Sequence, residues 1–213
     1  MIEHRFVAIE GIDGSGKTYL ADRMAEYVVD QSKHWSWRDQ ISVVRTHEPF
    51  DSELDSAICF HHDEYIRDRI IHFSKLIYPT IKNDDAMVIC DRYHLSTYAY
   101  QDYESVLFTP DYLNNGFWVV GHLVDKVDQR PLRVVSWADP DLYILIDPDL
   151  EEAKKRVESR GEAFHAKAEE FMERFRRAAL ILAGMDMGLA TPKILVAHSA
   201  DEAFEAWKQF EGI

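Results

Sequence analysis

The chain has 213 residues, 46% of them hydrophobic and 29% charged, enough for one domain with a substantial core and too apolar for a wholly disordered chain. Its 24 Lys and Arg stand against 38 Asp and Glu, a formal net charge of −14, which excludes a general coating for DNA or RNA. Any anion it binds must sit in a small, locally basic pocket. The two cysteines, Cys59 and Cys90, cannot build a disulfide framework, and no apolar run approaches the roughly 20 residues of a membrane span. Glu3-His4-Arg5 leads directly into a short apolar stretch with no signal-peptide pattern, so a cytoplasmic protein is expected.

In chain order, Phe6–Ile9 is a short apolar run ended by Glu10-Gly11, and reads as a buried strand. From Lys17 to about Val29 the pattern is helical, with Leu20, Met24, Tyr27 and Val28 on one stripe. Ile41–Arg45 is a second strand, closed by Glu48-Pro49. Asp63–Lys82 is a long helix, with Ile66, Ile70, Phe73 and Ile77 at core spacing. Ala86–Cys90 and Leu142–Ile146 are further strands, and Asp149 with Glu152 forms a capping box before a helix to Arg160. Lys167–Met185 is helical, Ile194–Ala197 is a fifth strand, and Ala203, Phe204, Trp207 and Phe210 mark a closing amphipathic helix. Residues 101–140 carry turn signals and scattered aromatics without a readable period.

Short, nearly continuous apolar strands separated by helices predict an α/β fold: a five-stranded parallel sheet with helices on both faces. Ligands in such folds bind beyond the carboxyl ends of the strands. The residues there are informative. Gly11-Ile12-Asp13-Gly14-Ser15-Gly16-Lys17-Thr18 matches G-x-x-x-x-G-K-[ST], with a strand before it and a helix after it. Its glycines turn backbone N–H groups toward a phosphate; Lys17 reaches the β and γ phosphates and Thr18 offers its hydroxyl to Mg²⁺. Asp13 lies inside this cradle, where a carboxylate repels the ligand unless it meets a cation or a sugar hydroxyl. The other reading of Asp13 is a solvated loop residue.

Asp91-Arg92 follows the third strand directly, so the acid can hold Mg²⁺ and the arginine can clamp an oxyanion. Tyr65, Arg69 and His72 share one helix face. Tyr65 and Arg69 form either a base-stacking pair or the solvated edge of the core, while His72 reads as a packed histidine. Arg156 and Arg160 lie one helical turn apart ahead of Gly161, as a solvated helix end or as a basic lid. No Asn-Lys-x-Asp guanine-recognition set occurs, which counts against a GTPase switch.

These segments resemble the thymidylate kinase family. FVAIEGIDGSGKT over Phe6–Thr18 is similar to the family's phosphate-loop block, and Thr46-His47-Glu48-Pro49 to its T-R-E-P, with His47 in place of the Arg. Asp68-Arg69-Ile70-Ile71-His72 resembles its D-R-x-x-H block. DRYHLSTYAYQ over Asp91–Gln101 is the most family-specific stretch, and Pro140–Gly161 is similar to the block ending in R-x-x-x-R-G.

The resemblance implies a three-layer P-loop kinase fold spanning residues 1–213 as one domain, with a small lid at about 156–168. It implies transfer of the γ-phosphoryl group of ATP to dTMP, with Mg²⁺. Gly11, Gly14, Ser15, Gly16, Lys17, Thr18, Arg156 and Arg160 would hold ATP, and Thr18 and Asp91 the metal. Asp13, Pro49, Phe50, Tyr65, Arg69, Arg92, Thr97 and Tyr100 would hold dTMP, with Lys17, Asp13, Arg92 and Asp91 carrying the reaction. A homodimer is implied in the same way. The residues also fit a kinase for dUMP, a modified pyrimidine monophosphate or another deoxynucleotide, and an idle nucleotide-binding module. Relatives lacking a basic residue at the position of Gly14 usually carry an Arg just past the R-G pair. Glu162–Lys167 has none, so either His165 or Lys167 substitutes or Arg160 acts alone.

Overall fold

The computed structural model describes residues 5–33, 41–48, 68–69, 71–82, 86–101, 117–118, 137–138, 140–184 and 193–213. Strands β1 (Phe6–Glu10), β2 (Ser42–His47) and β3 (Ala86–Asp91) are joined by β6 (Leu142–Ile146) and β7 (Lys193–Ala197) in one five-stranded sheet of order β2-β3-β1-β6-β7. Every pairing in it is parallel. A separate antiparallel pair, β4 (Phe117–Trp118) and β5 (Trp137–Ala138), lies within the stretch that showed no period.

The apolar runs are nearly continuous because both faces of the sheet are covered, and side chains alternate between two cores. Phe6, Ala8, Val88, Cys90, Tyr143 and Leu145 face one core. There they meet the π-helical turn Phe73–Ile77, α3 (His94–Gln101) and α5 (Ala168–Gly184). Val7, Ile9, Met87, Ile89, Leu142 and Ile144 face the other, against α1 (Lys17–Ser32) and α6 (Ala200–Glu211). Adjacent strands β1 and β3 therefore send their following helices to opposite faces. Their carboxyl ends open a crevice, which is where a ligand is expected.

The second strand is shifted from the sequence reading. It runs two residues later, to His47, because Thr46 and His47 pair with Cys90 and Asp91 along the full length of β3. The described part of the 63–82 helix is helical at Asp68, Arg69, Ile71 and His72, then widens over Phe73–Ile77 before α2 (Tyr78–Ile81). Pro79 supplies the reason: it has no N–H for the carbonyl one turn back, and the Tyr78 N–H reaches Phe73 O instead. Residues 63–67 and 70 lie outside the described set.

Helix α4 (Leu150–Ser159) starts at Asp149, whose Oδ1 accepts from the N–H groups of Glu151 at 2.9 Å and Glu152 at 3.1 Å. The reciprocal half of the expected capping box is replaced by an ion pair: Glu152 turns one helical turn on to Arg156, at 3.1 Å. Among the described residues no helix is long and apolar enough to cross a membrane.

Candidate active site

The loop after β1 turns on three glycines with positive φ: Gly11 at 142°, Gly14 at 78° and Gly16 at 100°. Gly14 is fixed twice over. A Cβ there would lie 2.3 Å from the Ala153 carbonyl oxygen and 3.0 Å from Val157 Cγ2, so α4 rests directly on the loop. Gly16 precedes α1, which has no side-chain cap and no acid in its first turn. Its first N–H groups and the positive end of its dipole thus face the crevice without an internal anion.

Lys17 is buried and folds back over the loop, donating to Ile12 O at 2.8 Å. Burial, aided by the nearby Arg92, pushes its pKa down to about 7. The Thr18 hydroxyl donates to Asp91 Oδ2 at 2.6 Å across the β1–β3 crevice. The other carboxylate oxygen of Asp91 is buried with no hydrogen-bond partner. A hydroxyl beside an unpartnered carboxylate oxygen is a hard, all-oxygen donor set, and it fits Mg²⁺, which takes one or two protein oxygens and completes its shell with water and phosphate. No cluster of three or more His, Cys, Asp or Glu occurs among the described residues.

Arg92 lies beside this pair. Its guanidinium makes an ion pair with Asp13 and donates to the Tyr100 hydroxyl at 3.1 Å. Burial opposes ionisation of Asp13, but Arg92 and then Lys17 hold its carboxyl below the usual range. Tyr100 in turn packs edge-on against Phe171, with ring centroids 4.7 Å apart, and His165 lies over Phe171 at the same separation.

One cavity of about 540 Å³ is lined by Asp13, Gly14, Gly16, Lys17, Thr18, Asp91, Arg92, Arg156 and Arg160. These residues come from the loop after β1, the end of β3, and α4 with its C-terminal cap. Arg156 donates to Gly14 O at 3.1 Å, tying α4 to the loop, while Arg160 pairs with Glu162 at 2.9 Å. Neither of the other two lid candidates lines the cavity: His165 is on Phe171, and Lys167 faces Glu170 at 4.0 Å.

Other expected residues lie elsewhere. Gly11 packs under Ile146 O, and Ser15 is fully buried. Arg69 is 3% exposed; its Nε and Nη2 hold Glu48 Oε2 at 2.8 and 2.5 Å, and Nη2 reaches Tyr93 O at 3.2 Å. His72 is buried, with Nε2 2.7 Å from the Thr46 hydroxyl and Nδ1 3.3 Å from Glu48 Oε1. Pro49, Phe50 and Tyr65 lie outside the described residues, as does the side chain of Thr97.

Sequence reasoning gave no ligand role to Tyr19, Ala21, Arg45, Thr46, His47 or Glu48, all of which line the cavity, and none to Glu10. For Arg45 and His47, their spacing of two on a strand, which puts them on one face, was the available signal. Glu10 is fully buried at the end of β1, an acid closing an otherwise apolar strand.

Comparison with known proteins agrees with this geometry. The family model described as thymidylate kinase matches residues 9–117. A probable thymidylate kinase of Pyrococcus horikoshii is 32% identical over 174 residues, covering 73% of this chain and 71% of its own length. The thymidylate kinase of Pelobacter propionicus is 30% identical over 200 residues, covering 84% and 80%. Among solved structures, the thymidylate kinase of Ehrlichia chaffeensis superposes with a TM-score of 0.55 at 23% identity, over 96% of this chain and 97% of that one, and shares the fold.

Proposed function

The chain belongs to the thymidylate kinase family, and from that premise we propose that it transfers the γ-phosphoryl group of ATP to the phosphate of dTMP, giving dTDP and ADP. The observation that carries the reading is the shared cavity, in which the phosphate loop, the Asp91-Arg92 pair and the α4 arginines converge.

A phosphate oxygen of dTMP forms a bond to the γ phosphorus, and the bond from that phosphorus to the β–γ bridging oxygen breaks, its electron pair leaving with ADP. The acceptor is already nucleophilic, since a phosphate monoester has a second pKa near about 6. A strong general base is therefore unnecessary; the work is alignment and neutralisation of two polyanions. The loop N–H groups and Lys17 hold the donor's phosphates. A triphosphate beside Lys17 restores the charge that burial suppresses. Arg92, braced by Asp13 and Tyr100, faces the acceptor phosphate. Arg156 and Arg160 close from α4 as the lid, at about 156–168. Thr18 and Asp91 would hold Mg²⁺, which when bound supplies charge neutralisation at the transferring phosphates. Positive charge concentrated in one pocket suffices despite the overall charge of −14, because distant charges are screened over about 8 Å at physiological salt.

The same reading takes residues 1–213 as one kinase domain, acting as a homodimer in the cytoplasm. The pocket distinguishes bases only weakly: a single methyl contact is worth about 1–3 kcal/mol, so dUMP is the acceptor to compare. The test is ADP release with Mg-ATP and each deoxynucleoside monophosphate in turn. Turnover favouring dTMP is expected; turnover favouring a purine acceptor, or none with any acceptor, overturns the proposal.

A further inference from the structure

Arg92 is the single non-glycine residue with positive φ among the described residues, at 71°. An arginine has no intrinsic preference for that conformation, so its surroundings must impose it. The restraint comes from β1. The Arg92 N–H donates to Ile9 O at 2.9 Å. The next residue on β1, Glu10, is fully buried, and its carboxylate accepts three bonds from the chain just after Arg92. Oε1 takes the N–H groups of Tyr93 at 2.9 Å and Leu95 at 3.0 Å, and Oε2 takes the Ser96 hydroxyl at 2.6 Å. Glu10 thus caps the start of α3 from a different strand. It does not line the cavity and has no part in the chemistry above.

We infer that Glu10 is a positioning residue for Arg92: its carboxyl group locks the Arg92–Ser96 turn so that the guanidinium reaches Asp13, Tyr100 and the acceptor phosphate. The inference rests on the reading in which Arg92 meets that phosphate. A purely structural role would lower the amount of folded protein without favouring one substrate. A positioning role weakens the acceptor side and spares ATP.

The experiment measures KM and kcat for both substrates, and equilibrium dTMP binding, in Glu10→Gln and Glu10→Ala. Each is made in the wild-type and Arg92→Lys backgrounds, with dTMP binding as the readout wherever turnover is lost. Gln keeps an acceptor for the Tyr93 and Leu95 N–H groups and a donor for Ser96, so it should stay within about threefold of wild type. Ala leaves buried donors bare, so kcat/KM for dTMP should fall by about tenfold or more while KM for ATP moves less than about twofold. In the Arg92→Lys background the same change should cost under about threefold, the two residues acting through one contact set. Equal loss for both substrates, equal loss in both backgrounds, or failure of Gln to rescue would overturn the inference. If Glu10→Ala does not fold, Ser96→Ala deletes one of the three bonds and should give the same selective loss at about threefold; no loss overturns the inference. If the wild type binds dTMP without turning it over, the kinase reading fails. The Glu10 assignment then stands or falls on whether Glu10→Ala selectively weakens dTMP binding.

Discussion

Substituting Gly14 by Ala tests how closely the phosphate loop and the lid helix are packed. The new Cβ would stand 2.3 Å from Ala153 O, where ordinary contact begins at 3.4 Å. The tightest contact is with backbone, so no side chain can swing away to relieve it, and α4 must retreat by about 1 Å or the loop must deform. A displacement of that size at a reacting centre costs about 100-fold in rate, or about 2.7 kcal/mol of barrier. The positive φ of Gly14 adds a stability penalty of about 1–2 kcal/mol for a residue with a Cβ. The retreat also strains the Arg156 bond to Gly14 O and carries Arg160 away from the cavity. Gly212→Ala is the control: it has a similar φ of 69° and nothing within 4 Å of the added Cβ, so it should lose stability without losing activity. The assay is kcat/KM by coupled ADP release, with thermal melts of both variants. A Gly14→Ala enzyme within about threefold of wild type would refute the claim that α4 is seated on the loop.

Four other outcomes follow from the same geometry. Lys17→Met should lower kcat by about 1,000-fold or more, yet leave the melting temperature unchanged or higher, because it removes a buried amine already pushed down to about 7. Asp91→Asn should raise the Mg²⁺ concentration for half-maximal rate by about tenfold or more in a magnesium titration, since it removes the carboxylate charge and converts one oxygen to a donor. Arg160→Ala should cost about tenfold in kcat while His165→Ala stays within about threefold, because Arg160 lines the cavity and His165 packs on Phe171. Burial raises the Glu10 carboxyl from 4.5 to about 7, outweighing the opposing Ser96 bond and the nearby Arg69 and Arg92, with Glu48 adding to the rise. The native state then holds this proton between those two pH values and the unfolded chain does not. The group's contribution to stability is complete below pH 4.5 and is lost as pH rises through 7. Denaturant melts at pH 5 and pH 8 should show a smaller drop in Glu10→Gln than in wild type.

Strands β1, β3 and β6 were legible because both of their faces are buried, which leaves runs such as Phe6–Ile9 and Leu142–Ile146 apolar throughout. The edge strand β7 exposes Lys193 and Val196 and was legible only from its apolar residues. The edge strand β2 was misplaced by two residues because one side is exposed, and its last residues are polar yet still pair with β3. The β4–β5 pair left no periodic trace, since two residues pairing across about twenty others carry no local pattern. The phosphate loop was legible because it is contiguous, and Asp91-Arg92 because it directly follows a strand. What could not be read was contact at a distance. Glu10 meets Ser96 across 86 positions, Gly14 meets Ala153, and His165 turns to Phe171. The ion pair of Arg69 with the buried Glu48, 21 positions away, was not readable from its helix face either.

If one cavity brings the γ phosphate of ATP to the phosphate of dTMP, the γ phosphorus must pass from one nucleotide to the other. Incubation with ATP labelled at the γ phosphorus, Mg²⁺ and dTMP, followed by separation of products, follows that transfer. The label should appear in dTDP, in step with ADP and dependent on Arg92. Label released instead as inorganic phosphate, at a rate unchanged by dTMP, would contradict it.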